Sequence, residues 1–245
     1  MKTIGMLGGM SWESTSSYYK ALNEGVKEIL GGLHSAQVCL YSIDFAEIEK
    51  LQHQADWQAT AGILAGAAKA VEAGGADFLI ICTNTMHKVA AEIEAAISIP
   101  ILHIADATAE RLLADDVHRV GLLGTRFTME QDFYKGRLTD KFGIDVAVPP
   151  SGDLEAVHEI IYSELCLGEI KESSRRRLLE IIDKLYADGA QAVILGCTEL
   201  ALLVNEQHTS VPLYDTTEIH AAKAVQLALG SDPGSTKSDQ RGSLV

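Results

Sequence analysis

Short apolar runs recur along the chain at residues 3–7, 37–43, 78–82, 101–104, 119–123, 144–148, 192–195 and 211–214. Each is too short for a helix and rich in Val, Ile and Leu, as buried strands are. Between them, residues 14–30, 60–73, 130–141, 154–167, 171–188 and 218–229 place apolar side chains three and four apart, the spacing of amphipathic helices. Strands alternating with helices predict an α/β fold in which parallel sheet is covered by helices on both faces.

Two pairs of segments look like copies. IGMLG at residues 4–8 matches VGLLG at 120–124, with Gly5 and Gly121 lying 116 residues apart; FLIICT at 78–83 resembles VILGCT at 193–198, displaced by 115. Nearly equal displacements point to a duplicated unit, although buried parallel strands also look alike because all are rich in Val, Ile and Leu. The expectation is two similar Rossmann-like α/β/α halves related by pseudo-symmetry, with a cleft between them. The first half takes residues 1–99 together with 211–229, so that the last strand and helix return to it, and the second takes 100–210. Residues 230–245 are polar and rich in Ser and Gly, the composition of a disordered tail.

The chain has 245 residues, of which 47% are hydrophobic, enough for a sizeable core. Its 34 acidic and 20 basic residues leave a formal charge of −14, which repels nucleic acid and anionic membrane surfaces. An anionic small molecule would also be repelled at long range, so its carboxylate must be held by local donors such as backbone N–H groups at helix starts. The apolar runs are too short for a signal peptide or a membrane span, which gives a cytoplasmic expectation. Cys39, Cys82, Cys166 and Cys197 lack CxxC spacing and read as thiols rather than disulfides or zinc ligands.

Candidate chemistry lies at the ends of the repeated strands, Cys82-Thr83 and Cys197-Thr198. In an open parallel sheet ligands bind beyond the C-terminal strand ends, where a following helix start is expected to lower a thiol pKa. Cys39, within a strand, and Cys166, near a helix end, read as packing. The turn GMLGGM at residues 5–10 lacks the G-x-G-x-x-G spacing of a dinucleotide site, and offers backbone N–H groups to a small ligand instead. His87 lies four residues past Thr83, His103 at a strand end and His220 in a late helix, and none forms a metal-spaced cluster. No metal site and no cofactor are expected.

The GGM turn (Gly8 to Met10) followed by Ser11 and Trp12, the NTMH segment (Asn84 to His87) and GCTE (Gly196 to Glu199) together resemble the aspartate/glutamate racemases over essentially the whole chain to about Gly230. The similarity is greatest to enterobacterial members with aspartate/glutamate or broad amino-acid specificity. The resemblance implies pyridoxal-independent racemisation of a small amino acid by two acid/base groups flanking the α-carbon, in a homodimer. It assigns substrate holding to Met10, through its backbone, Asn84, Thr85, Thr198 and Glu199, with Thr125 at the second Gly-rich turn. Family members carry cysteine directly before the NT pair, whereas here that residue is Thr83. Since neighbouring side chains along a strand point opposite ways, Cys82 cannot simply inherit the role, and Thr83 and Cys197 are taken as the catalytic pair.

A second departure concerns the distal carboxylate of an acidic substrate, which would call for a basic partner. Lys50, His53 and His158 are the only basic residues in the segments expected to supply it, and the neutral amide of Gln52 is the expected contact. Tolerance of neutral polar amino acids such as homoserine follows. Two other readings stay open: a related cysteine-dependent isomerase or decarboxylase of small carboxylates, and a non-catalytic amino-acid sensor whose halves close on a ligand.

Overall fold

The structure is a computed structural model that describes residues 1–230; the tail expected at 230–245 lies, beyond Gly230, outside the described residues. Eight strands form at the eight apolar runs: β1 (Ile4–Gly8), β2 (Val38–Ser42), β3 (Phe78–Ile81), β4 (Ile101–Leu102), β5 (Arg119–Gly124), β6 (Asp145–Ala147), β7 (Ala192–Gly196) and β8 (Leu213–Asp215). They build two four-stranded sheets in the orders β2-β1-β3-β4 and β6-β5-β7-β8, every pairing parallel. The same order twice gives two similar halves.

The register sharpens that similarity. β1 pairs with β3 as Ile4 with Phe78, and β5 pairs with β7 as Val120 with Ala192. Matching β1 to β5 through IGMLG and VGLLG steps from residue 4 to 120, or 116 residues, and then carries 78 to 192, a step of 114. Thr83 therefore corresponds to Cys197 and Thr85 to Glu199, whereas the strand motifs alone had set Cys82 against Cys197. The one-residue difference matters because it reverses the direction of a strand side chain. Cys82 is fully buried on the face that also holds Ile4, Met6, Tyr18 and Ile80, and burial pushes its thiol pKa up.

Ten helices cover the sheets: α1 (Trp12–Leu30), α2 (Phe45–His53), α3 (Trp57–Ala73), α4 (Ala90–Glu94), α5 (Ile104–Ala114), α6 (Arg126–Glu130), α7 (Ser151–Ser163), α8 (Glu172–Ala187), α9 (Leu200–Leu203) and α10 (Thr216–Leu229). α2 and α5 fall where no helix was expected, and the helix expected over 130–141 is instead a turn followed by a π-helical turn at Arg137–Lys141.

The expected boundary near residue 100 is corrected at both crossings. β4 pairs with β3 in the first sheet, while α5, directly after it, buries Ile104, Ala105, Ala109 and Leu112 against Val120 and Leu122 of the second. β8 pairs with β7 and so stays in the second sheet, whereas α10 lays Ala221, Ala224, Val225 and Ala228 on Ile4, Met6 and Leu22 of the first half. Each half thus supplies one helix to the other. A strand needs a hydrogen-bonding neighbour and a helix only an apolar face, so a chain can change halves between the two.

Histidines hold the first crossing. His220 meets the Leu102 carbonyl at 2.8 Å through Nε2, His103 caps α5 by accepting from Ala105 N–H at 3.2 Å through Nδ1, and His87 Nε2 accepts from Ile104 N–H at 3.2 Å. A carbonyl only accepts and an N–H only donates. His220 is therefore protonated at Nε2, and its Nδ1 accepts from Tyr18 Oη at 2.9 Å. All three rings are neutral, with burial as the main cause of their lowered pKa: His103 is brought to about 3 and His220 to about 4, and His87 lies well below the usual histidine range.

Candidate active site

The sharp exit from β1 needs glycine. Gly9 sits at φ +90°, and a Cβ there would lie 2.2 Å from the Ile43 carbonyl oxygen. Its N–H donates to Thr15 Oγ1 at 2.7 Å, which brings the first turn of α1 against the strand end. Ser11 is the N-cap of α1, accepting from Ser14 N–H at 3.3 Å. Thr125, after β5, caps α6 in the same way at 3.4 Å.

These two caps bridge the halves in a symmetric pattern. Thr85 and Thr125 hydroxyls bond at 3.1 Å, and Ser11 Oγ donates to Glu199 Oε1 at 2.8 Å. Because Thr85 and Glu199 correspond by register, each half sends the residue two past Thr83 or Cys197 to the helix cap of the other. A third bridge runs from Asn84 Nδ2 to Thr216 Oγ1 at 3.0 Å, which in turn donates to the Leu195 carbonyl at 3.0 Å.

Between the bridges lies one cavity of about 30 Å³, room for about two water molecules. Met10, Gln52, Thr83, Asn84, Thr85, Thr125, Cys197, Thr198 and Glu199 all line it, so the structure brings together every sequence-selected site residue. Ser11, Phe45, Met86, Ile161, Tyr162 and Cys166 line it as well. Of these only Ser11 carried a local signal, as a serine opening a helical pattern after the Gly-rich turn. Cys166, read as packing, is half-buried at the cavity wall, and burial with the charges of Glu199 and Glu13 raises its thiol to about 12.

Among the described residues, no lysine, arginine or histidine lines the cavity. Gln52 is 3% exposed with its Oε1 unbonded, and Asn84 Oδ1 is likewise buried without a partner. Among the described residues no three His, Cys, Asp or Glu side chains group as metal ligands, and no helix is long and apolar enough to cross a membrane.

Electrostatics around Cys197 correct the expectation that a helix start lowers its pKa. The thiol is buried and donates to Glu199 Oε2 at 3.0 Å, an oxygen that also accepts from Thr198 Oγ1 at 2.6 Å. Burial first, and the charge of Glu199 second, hold the thiol well above its usual range. Only the four-residue α9 follows the strand end, too short a stack of peptide dipoles to outweigh an adjacent carboxylate. The resting group is thus a thiol hydrogen-bonded to a carboxylate.

Residues 7–224 match the family model described as Asp/Glu/Hydantoin racemase. A Yersinia pestis crystal structure, described provisionally as an Asp/Glu racemase, is 56% identical, covers 94% of this chain and 100% of its own, and superposes with a TM-score of 0.88. An aspartate racemase homologue from Pyrococcus horikoshii OT3 is 36% identical, with coverage of 94% and 100% and a TM-score of 0.82. The broad specificity amino-acid racemase RacX of Bacillus subtilis (strain 168) is 24% identical over 92% of this chain and 98% of its own length. Over nearly its whole described length, the chain belongs to the Asp/Glu/hydantoin racemase family.

Proposed function

We propose that the protein is a cofactor-independent amino-acid racemase in which Cys197 and Thr83 exchange the α-proton from opposite faces of the substrate, Cys197 serving the L-enantiomer and Thr83 the D-enantiomer, as the resemblance to the racemases implies. The observation that carries the reading is the correspondence of these two residues at equivalent strand ends, one from each half, lining one cavity. Glu199 takes the Cys197 proton, so the pair keeps a single negative charge while the thiolate becomes the base. The substrate ammonium group, brought into the same dry cavity, offsets that charge. Thr83 donates to or relays from the other face, and buried donors around the substrate carboxylate, Asn84 and the backbone at Met10 among them, stabilise the carbanion.

Gln52 receives the end of the substrate side chain. An amide serves a carboxylate, an alcohol or an amide alike, so aspartate, glutamate and neutral polar amino acids such as homoserine are all substrates on this reading. A charge-assisted bond to a basic partner would add about 1.5 to 3 kcal/mol of preference for acidic substrates, and the cavity wall has no such partner. The test is incubation of each enantiomer in deuterated water after dialysis against chelator. Deuterium enters the α-position and the optical rotation decays if the reading is right; binding without exchange makes the protein a sensor, and loss of carbon dioxide makes it a decarboxylase.

A further inference from the structure

One buried titratable group touches the catalytic loop yet does not line the cavity. His87, 3% exposed, reaches the Thr83 carbonyl at 2.8 Å through Nδ1 and accepts from Ile104 N–H through Nε2. Since a carbonyl only accepts and a backbone N–H only donates, the ring has one proton and it sits on Nδ1. One end of the imidazole therefore holds the peptide of Thr83; the other holds the first residue of α5, the helix the first half supplies to the second sheet. The backbone N–H of His87 also donates to the Asn84 carbonyl at 3.1 Å, so two consecutive carbonyls of the loop bearing Thr83, Asn84 and Thr85 are tied to this residue. His103 and His220 pack around it with ring centroids at 4.4 and 6.1 Å, which leaves the imidazole no other partner to turn to.

We infer that His87 is a positioning residue that couples the crossing of the chain between the halves to the placement of Thr83. The inference rests on the proposed two-sided racemisation. If the site opens and closes by movement of the halves, α5 moves with the second sheet and the imidazole carries that movement to one of the two acid/base groups and not to the other. Cys197, directly after β7, is tied differently: its thiol bonds Glu199, which Ser11 of the first half holds.

Two variants separate the ends of the ring. In His87→Asn the amide nitrogen falls where Nδ1 was, keeping the donor to Thr83 and losing the acceptor for Ile104. In His87→Gln the amide oxygen falls where Nε2 was, keeping the acceptor and losing the donor. Net inversion and α-proton exchange of the L-enantiomer are measured for both in deuterated water. His87→Gln and His87→Asn each sever one end of the link, and each is expected to slow inversion about tenfold, the scale of one lost hydrogen bond, with L-side exchange within about threefold of wild type. Equal loss of both rates in both variants, or wild-type inversion in either variant, overturns the inference. A wild-type protein without any exchange instead overturns the racemase reading. Ring nitrogen chemical shifts of the wild-type protein give a test free of folding defects: proton on Nδ1 of His87 supports the assignment, and proton on Nε2 overturns it.

Discussion

Glu199 stands where one side chain fixes three others: its carboxylate accepts from Ser11, Thr198 and Cys197. Its charge raises the Cys197 pKa, so Glu199→Gln lets the thiolate form at lower pH. The pH profile of alkylation by iodoacetamide is then expected to move to lower pH, with faster reaction at fixed pH. Racemisation moves the other way, falling about a hundredfold, because the group that takes the thiol proton is gone. Faster alkylation with unchanged turnover would remove Glu199 from the proton path. Cys82 and Thr83 make the complementary pair. Thr83→Ala is expected to stop net inversion while L-substrate still exchanges its α-proton. Cys82→Ala leaves turnover intact and costs about 1 to 3 kcal/mol of stability by opening a cavity among Met6, Tyr18 and Ile80, read as a lower midpoint in urea. In the sequence, the family position before the NT pair together with strand alternation chose Thr83 over Cys82, and the sheet register gives Thr83 the same correspondence to Cys197. The elevated Cys197 pKa was not legible there, because it depends on where a carboxylate two residues on folds back.

At the scale of elements, the duplicated strands differ in what surrounds their matching glycines. A Cβ on Gly5 would sit 2.6 Å from Val71 Cγ1, 2.9 Å from Ala76 Cβ and 2.9 Å from the Phe78 carbonyl oxygen. On Gly121 it would meet the tip of Leu185 at 2.9 Å, with the next contacts at 3.2 Å. A leucine tip can turn aside and a carbonyl in a parallel ladder cannot. Gly5→Ala is therefore expected to cost about 2 to 3 kcal/mol and Gly121→Ala about 1 kcal/mol, compared by chemical denaturation. The eight strands were legible because a buried parallel strand has to be apolar along its length. α2 and α5 were missed for opposite reasons. α2 buries only Ile48 and Gln52, too few for a clear stripe, while α5 buries small residues, Ala105, Ala107 and Ala109, which blur the apolar period.

For the whole molecule, the two crossings set both its acid tolerance and its unity. Because His87, His103 and His220 are neutral when folded, with pKa values below the unfolded 6.5, the unfolded chain binds protons first as pH falls. The stability they supply is complete above pH 6.5 and is lost as pH drops toward their folded values, at up to about 1.4 kcal/mol per unit for each ring. The thermal midpoint is expected to fall steadily between pH 6.5 and 5; a flat profile there would mean that the rings are already charged when folded. The pairing of similar halves was legible from the repeated strands, and so was the return of the last helix to the first half, but the crossing of α5 was not, since an apolar helix face does not say which sheet it will cover. The exchange of helices has a consequence for synthesis. The chain emerges from its N-terminus, and the face of the first sheet carrying Ile4, Met6 and Phe78 waits for α10, the last described element, to cover it. A ribosome that has made β1 to β4 holds a sheet that cannot yet finish folding, and a nascent chain halted before residue 216 leaves that face of the first half open to proteases.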